Sequence, residues 1–185
     1  MMDACDPTIP ALPDPLEAEA ALLARMDALG VDHALHRHPP LFTVEDSRAL
    51  RGALPGAHCK NFFLKEKKRG FWLVTCEERR AVRMKDLARA CGARSFSFAG
   101  EADLAARLGV RPGAVTPLAV LNDPGRQVRL AIDAQLFAER IINCHPLHNE
   151  ATVAISSRDL RRVFAETGHE PLEIDFDALE AQARA

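Results

Sequence analysis

Paired runs of apolar residues, each pair separated by a short polar link, constrain the fold of this chain more than any other feature. Three such pairs occur: 61–65 with 71–76, 116–121 with 127–132, and 141–145 with 151–155. Their links are typical of turns, as in Asn122-Asp123-Pro124-Gly125 of the second pair. Because these hairpins outnumber strand–helix–strand crossovers, the pattern predicts an α+β fold with a mixed, mostly antiparallel β-sheet and helices packed outside it.

Helical segments with recognisable ends accompany these strands. Asp14 and Pro15 suit the cap and the first position of a helix that ends at Gly30. Three more helices are predicted, each followed by a glycine, at 84–91, 101–108 and 157–167. Residues 1–15 contain four prolines and are predicted to form a disordered leader. One domain is predicted at 16–185, and it ends in a frayed acidic tail.

Composition excludes several classes of protein. The chain has 185 residues, of which 48% are apolar and 27% charged, as is usual for a soluble globular domain. No apolar run reaches the roughly 18 residues that cross a bilayer, and residues 1–6 lack the apolar segment of a secretory signal. The five cysteines show no paired spacing, so a reducing cytoplasm fits better than a disulfide framework.

Positive charge is concentrated in one stretch of the chain. The whole chain carries −2, but eleven Lys/Arg and four Asp/Glu between His58 and Arg94 give this stretch a net charge of +7 and leave −9 elsewhere. Four of these cations lie at the predicted hairpin: Lys65, Lys67, Lys68 and Arg69. Such a patch can attract a polyanion, although a solvated hairpin and helix face would have the same composition.

Most familiar catalytic and cofactor motifs are absent from the sequence. His36 and His38 share one face of a predicted strand, but no third ligand at metal-site spacing accompanies them. Neither a phosphate-binding glycine loop nor a nucleophile elbow occurs. In an extended strand, Cys59 and Cys144 cannot bond the histidine next to them, whereas a pairing of Cys59 with His145 stays open. The sequence therefore predicts no metal and no cofactor.

Three short segments combine polar side chains with apolar strands in a way that suits ligand binding. Lys60 lies at the start of an apolar strand, where an ammonium group can hold a phosphate or a carboxylate. Gly113 allows a ligand to approach the backbone, and Pro117 stiffens the same loop. The third segment, 145–152, places polar residues between two apolar strands. Taken singly, these features are equally compatible with a surface lysine, an ordinary turn and a polar hairpin loop.

Five motifs of the chain occur in a characteristic order. They are His38-Pro39-Pro40-x-Phe42-x-Val44-Glu45, Lys60-Asn61-Phe62-Phe63-Leu64-Lys65, the Gly113-x-x-x-Pro117 loop, Ala119-Val120-Leu121-Asn122-Asp123, and His145-Pro146-Leu147-x-Asn149-x-Ala151-Thr152. Together they resemble the YbaK/ProX family of aminoacyl-tRNA editing domains, and within it the free-standing ProX type. The resemblance covers about 16–176, nearly the whole chain. It implies a sheet that is partly barrel-shaped.

The resemblance also assigns roles to particular residues. It implies that Lys60 contacts the terminal adenosine or its phosphate, that the backbone of Gly113 accepts the α-ammonium group, and that His145 lines the ester site. It further implies polar orientation of the substrate by Asn61, Thr116 and Asn149, and an aminoacyl pocket walled by Phe42, Val44 and Phe62. Together with the charge pattern, it predicts tRNA binding by Lys65, Lys67, Lys68 and Arg69. No role follows for His148 or Glu150.

The activity implied by the resemblance is removal of alanine from mischarged proline tRNA, in trans, by a water that the terminal ribose hydroxyl assists. The implied partners are the acceptor stem of tRNA(Pro) and prolyl-tRNA synthetase, in the cytoplasm and without a membrane, and a monomer is favoured. Three alternatives stay open: removal of cysteine or another small amino acid, a non-catalytic module that binds tRNA or a synthetase, and a small-molecule-binding domain unconnected with RNA.

Overall fold

The computed structural model of the chain describes residues 9–40 and 54–184. Within these ranges the chain forms six α-helices, one 3₁₀ helix and eight strands. In chain order they are α1 (Pro15–Ala28), β1 (His33–Arg37), β2 (Ala57–Glu66), β3 (Gly70–Glu77), α2 (Met84–Ala90), β4 (Ser97–Phe98), α3 (Glu101–Leu108), the 3₁₀ helix (Pro117–Asn122), β5 (Val128–Asp133), α4 (Ala134–Ala138), β6 (Ile141–Cys144), β7 (Ala151–Ser156), α5 (Ser157–Thr167), β8 (Leu172–Ile174) and α6 (Phe176–Arg184). None of these helices is long and apolar enough to cross a membrane.

The strands form one sheet in the order β1–β7–β6–β2–β3–β5–β8, and β4 pairs with the far end of β2. The pairs β1/β7, β7/β6, β2/β3 and β2/β4 are antiparallel, whereas β2/β6, β3/β5 and β5/β8 are parallel. The predicted mixed, mostly antiparallel sheet with outer helices is therefore confirmed. Within the described residues the path from β1 to β8 is open, and the partly barrel-shaped sheet stays a prediction.

The hairpin of β2 and β3 follows directly from its sequence. Side chains alternate along β2, so that Phe63 packs in the larger of two cores and Leu64 in the smaller. Eight residue pairs join the two strands, and the predicted link 66–70 is confirmed as their turn. Helices α1, α3 and α5 and the 3₁₀ helix cover the larger core, whereas α2 and α6 cover the smaller one.

The predicted strand at 116–121 is wrong, because this run forms the 3₁₀ helix. Thr116 caps the helix, and its hydroxyl accepts a hydrogen bond from the amide of Leu118 at 3.4 Å. All residues of 117–121 are buried, and a short run that is apolar throughout does not distinguish a buried strand from a buried helix. Pro117 at the first position favours the helix, since it lacks the N–H that a strand ladder needs. The predicted second hairpin does not form, and β5 pairs in parallel with β3 instead.

The C-terminal tail is helical, contrary to the prediction that it frays. Phe176, the first residue of α6, is fully buried in the smaller core. Arg80 ties this helix to the sheet, because it pairs both with Asp177 in the first turn of α6 and with the buried Asp133 at 2.8 Å. Apolar burial and this ion pair together order a segment whose composition suggested a solvated end.

We predict that Asp123→Ala lowers the free energy of unfolding by about 3 kcal/mol, because each buried donor left without an acceptor costs about 1–3 kcal/mol. The buried carboxylate of Asp123 accepts hydrogen bonds from the amides of Gln127 and Val128 at 3.0 and 2.8 Å. It also accepts one from the ring of His169 at 3.3 Å. Urea unfolding measures the effect, with Asp103→Ala as control for an exposed ion pair worth below about 1 kcal/mol. Equal losses in the two variants would contradict the prediction.

Candidate active site

Asn61 fixes the glycine loop to the sheet. Its amide nitrogen donates to the carbonyl oxygen of Val115 at 2.8 Å, and its amide oxygen accepts from the hydroxyl of Thr75 at 2.7 Å. Thr116, the next residue of the loop, is fully buried. Asn61 therefore bonds the residue next to Thr116 and holds the loop to β2 and β3, whereas the hydroxyl of Thr116 caps the 3₁₀ helix.

Gly113 leaves its backbone open on one side. Its φ of +86° lies in the left-handed region, and a Cβ built there would meet no atom of the described residues within 4 Å apart from its chain neighbours. A side chain at this position would be strained even though space is available for it. This geometry suits the close approach of a ligand to the backbone that the sequence predicts.

Lys60 lies on the opposite face of β2 from Asn61. By strand alternation it shares its face with Phe62, which packs against the smaller core. The side chain of Lys60 is half-buried, and its ammonium group donates a hydrogen bond to the carbonyl oxygen of Arg80. Lys60 is therefore a half-buried cation, held by a hydrogen bond near the start of an inner strand of the sheet.

Burial keeps the ring of His145 neutral. It lowers the pKa of His145 below the ordinary value, and a hydrogen bond with the backbone of Ala151 opposes part of this shift. The nearby rings of His38 and His148 lower the pKa further. The Nδ1 atom of His145 is buried and has no hydrogen-bond partner among the described residues. A neutral imidazole with a free ring nitrogen can hold a water or a hydroxyl group and can take part in proton transfer.

We call His38, His145 and His148 the histidine cluster. The Nδ1 atom of His38 donates to the carbonyl oxygen of Pro39 at 2.9 Å, and its Nε2 atom forms a hydrogen bond of 3.0 Å with the hydroxyl of Thr152. Across residues 9–40 and 54–184, no three His, Cys, Asp or Glu side chains lie close enough to hold a metal ion. The ring of His38 is thus held by a backbone carbonyl group and a hydroxyl group.

The thiol of Cys59 contacts Cys144. A hydrogen bond with Cys144, together with burial, raises the pKa of Cys59 well above its ordinary value. A thiol with a raised pKa stays protonated at neutral pH and is a poor nucleophile. This environment gives no support to covalent catalysis by Cys59.

Ion pairs neutralise much of the basic stretch between His58 and Arg94. They join Lys65 to Asp103, Arg79 to Glu77, Arg80 to Asp133 and Asp177, and both Arg83 and Arg89 to Asp86. At the hairpin turn, Lys67 and Lys68 are exposed and make no ion pair in the described part of the chain. Arg69 approaches Glu66 only to 3.8 Å. A group of exposed positive charges therefore remains at this turn.

The sequence did not predict the buried carboxylate that bonds to the histidine cluster. Glu19 of α1 is only 3% exposed and accepts hydrogen bonds from His148 and Arg37. No sequence signal marks this contact, because Glu19 and His148 are 129 positions apart. Asn149 lies half-buried in the same loop as His148. Two predicted pocket residues, Phe42 and Val44, lie outside the described residues.

Comparison with known proteins places most of the candidate site within one family model. The model of the aminoacyl-tRNA editing domain matches residues 38–163. The chain is 38% identical over 166 residues to prolyl-tRNA synthetase associated domain-containing protein 1 of Bos taurus, across 87% of this chain and 96% of the relative. It is 31% identical over 155 residues to the prolyl-tRNA editing protein ProX of Acetoanaerobium sticklandii, across 83% and 94% of the two chains.

The fold is also similar to solved structures. One of them, described as a candidate trans-editing enzyme for prolyl tRNA synthetase, superposes with a TM-score of 0.66. The superposition covers 89% of this chain and 99% of the other, at 16% sequence identity. At this identity the likeness concerns the fold alone.

We predict that His145 titrates below the ordinary histidine pKa of about 6.5, because burial disfavours the imidazolium form. The folded state then binds its proton less readily than the unfolded state does. The stabilising contribution of this group is therefore full above about pH 6.5 and is lost as the pH falls through the folded value. Ring NMR signals measure the pKa, with the urea-unfolded chain as reference and His145→Gln for assignment. A folded pKa equal to or above the unfolded one would refute the prediction.

Proposed function

Because the chain belongs to the aminoacyl-tRNA editing domain family, we propose that it hydrolyses alanyl-tRNA(Pro) in trans. The observation that carries the proposal is the neutral ring of His145, with a free nitrogen, inside the matched region 38–163. One relative is named a prolyl-tRNA editing protein, which supports proline tRNA as the carrier of the misplaced amino acid.

The proposed reaction is attack of a water on the carbonyl carbon of the aminoacyl ester. A new carbon–oxygen bond forms, the bond to the terminal ribose oxygen breaks, and a proton from the water passes to that ribose oxygen. Because the ester is already activated, positioning of the water supplies much of the rate. In the proposed arrangement Nδ1 of His145 holds the water or the ribose hydroxyl, and the backbone of Gly113 receives the α-ammonium group. The raised pKa of Cys59 supports a water rather than a thiolate as nucleophile.

Lys60 can reach its proposed role by exchanging one hydrogen-bond partner. Its ammonium group bonds the carbonyl oxygen of Arg80, which is a neutral acceptor. A phosphate is a stronger acceptor, because its oxygens carry a full negative charge that attracts the ammonium group more than the dipole of a carbonyl does. The terminal nucleotide can therefore draw Lys60 from Arg80 and hold it against the substrate.

The identity of the amino acid is tested by a panel of tRNA(Pro) charged with alanine, cysteine or proline. Binding alone discriminates by only about 1–3 kcal/mol per methylene, so an editing pocket must exclude proline by its shape. We expect alanine to be released fastest and proline to be spared. Faster release of cysteine would change the proposed substrate. If none of the three amino acids is released although the tRNA binds, the protein is a non-catalytic tRNA-binding module.

The proposed tRNA-binding surface is the turn of the β2–β3 hairpin. A strand rises about 3.3 Å per residue, so Lys67 and Lys68 lie roughly 25 Å along the sheet from Lys60. This spacing would allow the terminal nucleotide to lie at Lys60 while phosphates of the acceptor stem of tRNA(Pro) reach the turn. Prolyl-tRNA synthetase is the proposed protein partner, since the bovine relative is named for an association with it, and the proposed compartment is the cytoplasm.

We predict that Lys60→Ala loses at least nine-tenths of the deacylase activity while the protein stays folded. Loss of the hydrogen bond to Arg80 costs about 1 kcal/mol of stability, which a domain of this size tolerates. Single-turnover deacylation and thermal unfolding measure the two effects. Lys85→Ala, an exposed lysine of α2, is the matched control. Full activity of the Lys60→Ala variant would remove Lys60 from the site.

We predict that reversal of the hairpin charges, in a triple variant with Lys67, Lys68 and Arg69 changed to Glu, weakens tRNA binding and flattens its salt dependence. Each lost phosphate contact removes roughly one unit from the slope of log affinity against log salt. The control makes the same charge change at Arg25, Arg158 and Arg162, on α1 and α5. Titration of tRNA at several salt concentrations measures both slopes. Equal affinity and slope in the two triple variants would place the RNA surface elsewhere.

A further inference from the structure

We propose that Glu19 is a positioning residue, which acts through His148 to fix the loop that carries His145. The loop comprises residues 145–150 and joins β6 to β7. This inference rests on the proposed function, since His145 is the group that Glu19 positions. Glu19 itself touches neither the loop backbone nor His145 in any hydrogen bond, so its effect passes through the ring of His148.

The carboxylate of Glu19 joins three elements of the fold. Its Oε2 atom accepts a hydrogen bond from Nε2 of His148 at 2.9 Å, and the two side chains are 4% and 6% exposed. Arg37, the last residue of β1, donates to the same carboxylate from both terminal nitrogens, at 2.5 and 3.3 Å. The buried carboxylate of Glu19 in α1 thus bonds both the end of β1 and the loop 145–150.

The hydrogen bonds of His148 leave it a single tautomer. Its Nδ1 atom accepts a hydrogen bond from the amide of Glu150 at 3.1 Å, so the ring proton must be on Nε2. That proton is the one donated to Glu19. His148 therefore makes one hydrogen bond within the loop, from Glu150, and one to α1, through Glu19. The second bond requires a hydrogen-bond acceptor at position 19.

The loop needs the bond from His148 to Glu19 because its backbone is strained. Leu147 is buried and has a φ of +70°, a left-handed conformation that costs a non-glycine residue free energy. The loop is also tied to the residue that follows β1, because the amide of His38 donates to the carbonyl oxygen of Glu150 at 3.1 Å. Release of His148 would leave Leu147 free to relax, and the burial of the adjacent ring of His145 would be lost with it.

Three substitutions at position 19 test this role. Glu19→Ala removes the acceptor, whereas Glu19→Gln keeps an oxygen that His148 can bond. Glu19→Asp keeps the charge but shortens the side chain by one methylene. Arg37, whose side chain is 58% exposed, can move to keep its ion pair with the shorter carboxylate, whereas the buried His148 cannot. Glu17→Ala, an exposed glutamate of the same helix, is the control.

The first measurement is steady-state deacylation of alanyl-tRNA(Pro). We expect kcat to fall about tenfold to a hundredfold in Glu19→Ala and Glu19→Asp, because misplacement of a site group by about 1 Å has effects of this size. We expect KM to change less than about threefold, since Glu19 lies away from the proposed tRNA surface, and Glu19→Gln to recover most of the loss. If Glu19→Ala does not fold, Glu19→Asp carries the test. A folded Glu19→Asp or Glu19→Ala variant with the kcat of Glu17→Ala would overturn the proposal.

The second measurement reads the position of His145 without any substrate. In Glu19→Ala and Glu19→Asp the NMR pKa of His145 should rise toward its value in the unfolded chain, because the ring gains water when the loop opens. In Glu19→Gln and Glu17→Ala it should stay at the wild-type value. An unchanged pKa in all folded variants would overturn the positioning role. Absence of deacylation by the wild-type protein would instead overturn the proposed function, and this NMR comparison would still decide the role of Glu19.

Discussion

The short parallel contact between β2 and β6 joins the two halves of the sheet, and the candidate site depends on it. In the described residues only two residue pairs form this contact. Asn143 reinforces it, because its side-chain amide donates to the carbonyl oxygens of Pro55 and Ala57 at 3.1 and 3.3 Å. Gly56 makes the close approach possible, since a Cβ there would lie 2.6 Å from the carbonyl oxygen of Ile141. A larger residue at this point would separate the strands.

The contact matters for function because each of its strands leads to a different part of the site. β2 carries Lys60 and Asn61 on opposite faces, and β6 ends immediately before His145. The glycine loop is attached to β2 by the bond from Asn61 to Val115. Asn61, a polar group that the family resemblance singled out, thus has a structural role as well, whereas the buried Nδ1 atom of His145 has no hydrogen-bond partner among the described residues.

Features that depend on neighbouring residues were predictable from the sequence, and features that depend on distant ones were not. The β2–β3 hairpin and the helix cap at Asp14 follow from local turn and capping chemistry. The run 116–121 was misassigned because burial on all sides erases the periodicity that separates strand from helix. The formal charge of the basic stretch follows from the sequence, but its pairing does not, since acids from other elements, such as Asp133, neutralise part of it. The anchor from Glu19 to His148 has no local signature at all.

The distance along the chain between Glu19 and His148 also governs when the protein becomes competent during its synthesis. At about 5–20 residues per second, the 129 positions between them separate their translation by roughly 6–26 s. Through that interval α1 exists without the loop it will anchor, and β1 without β7, its neighbour in the sheet. A nascent chain therefore cannot complete the contact between Glu19 and His148 until long after α1 has been made.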